Sequence, residues 1–188
     1  MPASAGPEVA RTLSVDDLEE ATRELQTHDR DAYLGSSRSQ PACGRELERL
    51  STEIARRAAA VDPELAGAKA EVRRSPGRCI VQLGPVALTA SWVRSRTDTV
   101  SEGRLLIVEW KGTVARGPQL SFERTPARPL GPPATPVRED VLLADATSEK
   151  DWRWRCETDA SGEQALPTVD LAARCVDRLV AQLEAARI

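Results

Sequence analysis

The chain of 188 residues is 40% hydrophobic, enough for one domain with its own core and short for two. Charged residues make up 29% and the formal net charge is -3, a balance that repels a phosphate backbone and disfavours general nucleic-acid binding. No run is apolar for long enough to span a bilayer, Met1 to Gly6 lack the basic and apolar parts of a secretory signal, and the four cysteines form no CxxC pair. These features predict a cytoplasmic protein in which Cys43, Cys79, Cys156 and Cys175 are free and mostly buried.

Residues 1–42 mix Ser, Pro, Gly and charge, and read as a flexible arm with one short helix. Ser14 stands as an N-cap before Val15, Leu18, Thr22 and Leu25, with Asp16 and Asp17 where the helix dipole favours acids. The apolar stripe is thin, so the helix needs a partner surface to persist, and Gly35 to Pro41 reads as a linker. Residues 43–188 read as a single α+β domain. From Glu46, Leu47, Leu50, Ile54, Ala58 and Val61 recur at three- and four-residue steps, the pattern of an amphipathic helix. Asp62-Pro63 ends it, with a further turn or two expected between Glu64 and Val72.

The period then changes to two. Cys79, Val81 and Leu83, then Val86, Leu88, Ala90 and Trp92, alternate with their neighbours on either side of Gly84-Pro85, as two strands or one broken by a bulge. Leu105 to Trp110 is apolar on both faces and reads as a central strand. Leu120 and Phe122 suggest a short strand, and Val141 to Ala146 and Trp152 to Cys156 two more. Thr125 to Pro136 holds five prolines and reads as an exposed connector with polyproline character. Thr168 is placed as the cap of a C-terminal helix that carries Leu171, Cys175, Leu179 and Leu183 on one ladder. The fold expected is an antiparallel β-meander of about four to six strands, with an amphipathic helix before it and a long helix after it.

Chemistry is thinly signalled. His28 is the single histidine, so an imidazole-rich metal site is excluded within one chain and the His28-Asp29 pair reads as a solvated helix end. There is no GxSxG elbow, and Lys111-Gly112-Thr113 has the wrong order for a phosphate loop. Glu109, Asp145 and Glu149 are carboxylates whose pairing depends on strand register. No cofactor or metal is indicated.

All four tryptophans, Trp92, Trp110, Trp152 and Trp154, fall in the strand block. In Asp151-Trp152-Arg153-Trp154-Arg155-Cys156, alternation sets the rings on one face and the arginines on the other. The rings pack beneath the helices, or they form a protein interface in which Trp and Arg serve as anchors, or they stack bases. With helix enough for one face of the sheet only, the expectation is a non-enzymatic accessory or adaptor protein. It would act through protein contacts or self-association on the uncovered face, with Trp92, Trp110, Trp152, Arg153, Trp154 and Arg155 as binding residues. A single-stranded nucleic-acid module and a small enzyme without histidine chemistry are the alternatives.

Overall fold

The tight turns at Pro76-Gly77 and Gly84-Pro85, with Gly77 and Gly84 at φ 69° and 53°, turn the chain straight back on itself. The same sense runs through the whole sheet. In the computed structural model, which describes residues 14–67, 69–94, 99–114, 134–158 and 165–186, seven strands pair antiparallel in chain order. They are β1 (Glu71–Ser75), β2 (Arg78–Leu83), β3 (Val86–Val93), β4 (Arg104–Lys111), β5 (Thr135–Asp145), β6 (Arg153–Cys156) and β7 (Leu166–Pro167). Helices α1 (Val15–Leu34), α2 (Ser39–Ala59) and the single turn α3 (Pro63–Ala66) precede the sheet, and α4 (Thr168–Ala185) closes it. The molecule is an α+β meander with β4 at its centre.

Two strands escape the sequence pattern, and both are edges. β1 has Val72 as its one apolar residue among Glu71, Arg73, Arg74 and Ser75, so it shows no alternation where a helical turn was expected. β7 is two residues long and ends in Pro167. Charge and proline are what keep an open sheet edge from pairing with another chain, and they also hide it from a periodicity reading. Helix α2 likewise begins at Ser39, not near Glu46. Pro41 lies in its first turn, where no intrahelical donor is lost, and Ser39 Oγ donates to the Leu34 and Ser36 carbonyls at 3.0 and 2.8 Å. The link between α1 and α2 therefore shrinks to residues 35–38, and Leu34, Ala42 and Cys43 join the core. β5 starts at Thr135, inside the proline-rich stretch. The remainder of that stretch, with Leu120 and Phe122, lies outside the described residues.

The core sits between one face of the sheet and the helices. Leu50, Ile54 and Ala58 of α2 and Leu171, Cys175, Leu179 and Leu183 of α4 meet Val81, Leu83, Val86, Leu88, Leu105, Ile107, Leu142 and Ala144 from the strands. Surface pairs such as Arg56–Glu53 at 2.8 Å add about 0–1 kcal/mol each. Burying one leucine is worth about 1.5–3 kcal/mol, so packing against the sheet holds these helices. A polar pin joins them: Trp154 Nε1 donates to Thr168 Oγ1 at 3.1 Å, and that hydroxyl donates to Glu46 on α2. Thr168 is thus a buried tie within the first turn of α4, and Pro167 takes the cap position assigned to it from sequence. No helix among the described residues is long and apolar enough to cross a membrane.

Candidate interface on the uncovered sheet face

Register decides which side chains share a face, because residues directly opposite each other in an antiparallel pair point the same way. Val81 pairs with Leu88, and Trp92 with Leu105. Those rows face the helices. The row through Arg73, Ile80, Thr89, Val108 and Glu139, and the row through Arg78, Ser91, Leu106 and Val141, face away from them.

The four tryptophans divide unequally. Trp154 is 1% exposed and Trp152 6%. Trp92 packs edge-on against Trp154 at 6.0 Å, and Trp152 does the same at 5.9 Å. Three of the rings placed at an interface from sequence are therefore a T-shaped cluster on the helix side, where each of the two ring pairs gains about 0.5–1.5 kcal/mol beyond its area. Neither Trp152 nor Trp154 presents a ring on which a base could stack. Hydrophobic period alone put them on one face correctly, but the choice of face rested on how the helices cross the sheet. Trp110, Arg153 and Arg155 do belong to the uncovered face, since Trp110 pairs with Ala87, Arg153 with Asp145 and Arg155 with Leu143.

The uncovered face buries Ala87, Thr89 and Val108 at its centre, and its margins carry both signs of charge, with Glu71, Glu139 and Asp145 among the arginines. The Trp110 indole reaches diagonally to donate from Nε1 to Thr89 Oγ1 at 3.1 Å. Ile80, Leu106, Val141 and Leu143 are half-buried on the same face, and Val93 at the end of β3 is 51% exposed. Opposite Trp110, the ladder slips so that Val137 is left unpaired, 57% exposed. Arg73, Arg78, Arg153 and Arg155 stand at the margins, and Arg104 is matched by Glu157 at 2.8 Å. Among the described residues Arg155 Nε is buried without a hydrogen-bond partner, and a buried donor left unpaired costs stability.

Helix α1 exposes a second surface, acidic with apolar positions. Its capping box, Ser14 with Asp17, holds the first turn, with Asp17 N–H donating to Ser14 Oγ at 3.1 Å. Asp16, Asp17, Glu19, Glu20, Glu24, Asp29 and Asp31 outnumber Arg23 and Arg30. Those two arginines line a cleft of about 640 Å³ against Asp145, Asp151 and Arg153, while Val15, Leu18 and Leu25 are 72%, 53% and 64% exposed. Only the last turn, through Tyr33 and Leu34, packs on the core.

The other sequence candidates lie apart. His28 is exposed on α1. Glu149 pairs with Arg45 at 2.7 Å, Asp145 lines the α1 cleft, and Glu109 is buried beneath α4, where it accepts from Gln182. The four cysteines are free, and among the described residues no three His, Cys, Asp or Glu side chains gather where they could hold a metal ion. One arrangement that sequence reasoning missed is the charged group under α4. Arg178 bridges Asp140 at 2.6 Å and Glu109 at 3.9 Å. Its members lie far apart in the chain and share no motif. No family model matches this chain, and no curated protein or solved structure matches it either.

Proposed function

We propose that this is a non-enzymatic accessory protein that works by protein contact on the uncovered face of its sheet, and that the contact is made first with a second copy of itself. The observation that carries the reading is the coexistence, in one molecule, of a sheet face with half-buried Leu106, Val141 and Trp110 and several arginines among its marginal charges, and an acidic helix that holds Val15, Leu18 and Leu25 out in water. Most of this 20-residue helix makes so little contact with its own chain that its apolar positions are left without a surface to bury against. Laid across the sheet face of a second copy, its leucines meet Leu106, Val141 and Trp110 while its carboxylates meet the arginines at the margin. The exchange would complete a helix layer on each side of each sheet, an arrangement that buries both faces.

Sedimentation velocity across a dilution series tests the reading. A dimer is expected that dissociates as salt rises, because exposed charge pairs are screened. Leu18→Glu and Leu106→Glu should each give monomer, since either removes one half of the apolar contact. A chain that stays monomeric at every concentration, and from which a pull-down with intact α1 retains nothing, refutes it.

A further inference from the structure

Along the N-terminal half of α2, a groove of about 490 Å³ opens between the helix and the β1–β2 turn, and a recess of about 70 Å³ continues it toward Val100. Sites for small molecules run to roughly 300–1,000 Å³. Leu47 and the half-buried indole of Trp92 line both parts. The ring is held rigidly: its backbone N–H donates to the Gly77 carbonyl at 2.7 Å, Gly103 lies against its six-membered ring, and Trp154 packs on it at 6.0 Å.

Gly44 gives the groove its room. It sits inside α2, where glycine is the poorest choice short of proline, and a Cβ there would meet nothing within 4 Å. Packing within the chain does not ask for glycine at this position; an occupant lying against the helix would. Arg74 and Arg94 line the same groove with Glu48. Arg74 Nη1 holds Thr52 Oγ1 at 2.8 Å and Glu48 at 3.4 Å, and among the described residues nothing engages Nη2 and Nε, the half of the planar fork that suits a carboxylate.

We infer that this groove is a binding site for a small aromatic carboxylate, with its ring against Trp92 and Leu47 and its acid group on Arg74. A ring gains over an aliphatic group of equal size through edge-to-face contact with the indole. The acid group adds a charge-assisted contact that a neutral analogue lacks. The site lies on the helix side of the sheet and stands independently of the self-association proposed above.

The test is ligand-observed NMR titration of the full chain with benzoate, and with cyclohexanecarboxylate and benzyl alcohol as comparators. Benzoate should bind saturably and more tightly than either comparator. Arg74→Gln should weaken it about tenfold, the loss of one charge-assisted contact. Gly44→Leu should weaken it at least as much by filling the space, and Arg155→Gln on the opposite face should leave it unchanged. Arg74→Gln decides the matter if Gly44→Leu does not fold. Absence of saturable benzoate binding, equal binding of all three compounds, or benzoate affinity that Arg74→Gln leaves intact would overturn the assignment.

Discussion

A Cβ placed on Gly103 would come within 2.1 Å of Trp92 Cζ2 and 2.6 Å of Cη2. Gly103 is buried ahead of β4 with ordinary extended backbone angles, φ -71° and ψ 154°, so what it supplies is space and not conformational freedom. The indole cannot swing aside without losing its contact with Trp154. Gly103→Ala is therefore expected to cost about 1–3 kcal/mol, the usual range for overpacking. Urea denaturation measures it. The double variant Gly103→Ala/Trp92→Leu should lose less than the two single changes together, because the clash and the ring disappear at once.

Gly44→Ala should act in the opposite direction. With nothing near the new methyl group, the helix gains about 0.5–1 kcal/mol from reduced freedom in the unfolded chain. A rise in the urea midpoint checks this, and no change in midpoint would show that position 44 is not governed by helix propensity.

Glu109 gives the protein a dependence on pH of unusual sign. Burial under α4 raises its pKa above the ordinary glutamate value, and Arg178 and Arg138 only partly oppose this. A carboxyl raised in the folded state contributes stability that is fully present below its unfolded pKa and is lost as pH rises through its folded pKa. Glu109→Gln keeps the shape and removes the titration. The stability of this variant relative to the parent should thus increase as pH rises from the ordinary glutamate range upward. Denaturation curves at a series of pH values measure the difference, and a difference that stays flat or falls contradicts the account.

The thiols should separate by reactivity. Burial pushes Cys43 and Cys175 up to about 12 and Cys79 to about 11, and all three are enclosed, whereas Cys156 is half-buried with its Sγ 3.3 Å from Thr158 Oγ1. Thiolate is the reacting species. A disulfide reagent at mild pH should label one thiol per folded chain, and Cys156→Ser should abolish that labelling, with the other three reacting only in denaturant.

Thr168→Val removes the hydroxyl that joins Trp154 Nε1 to Glu46. Both partners are left without their hydrogen bond between α2 and α4, so a loss of about 1–3 kcal/mol is expected. Thr168→Ser, which keeps the oxygen, should lose much less. Near-ultraviolet circular dichroism should follow the same order, because Trp154 sits at the centre of the ring cluster.

Elements with strong apolar repeats are legible in the sequence. The ladder Leu50, Ile54 and Ala58, the ladder Leu171, Cys175, Leu179 and Leu183, and the alternation through β2 and β6 each report one buried stripe, because burial repeats with the local backbone period, and the two apolar faces of β4 mark it as central. Edges were not legible. β1 is made of charge with one valine, β7 is too short to show a period, and the start of α2 is polar because it bonds to the chain before it.

The interface suffered a different limit. Alternation grouped Trp152 with Trp154 and Arg153 with Arg155, and those groupings are the ones the register shows. A period of two says that two sets of side chains point apart; it carries no sign telling which set the helices will cover. That sign is a property of how α2 and α4 cross the sheet, and it put Trp92, Trp152 and Trp154 into the core while leaving Trp110 with the arginines outside. The amino-acid order determined the stripes, the breaks and the class of fold, since these depend on neighbours within a few residues. Tertiary packing alone decided which stripe met which, the burial of Glu109 beside Arg178, and the groove around Trp92, since each joins residues that only the folded chain brings together.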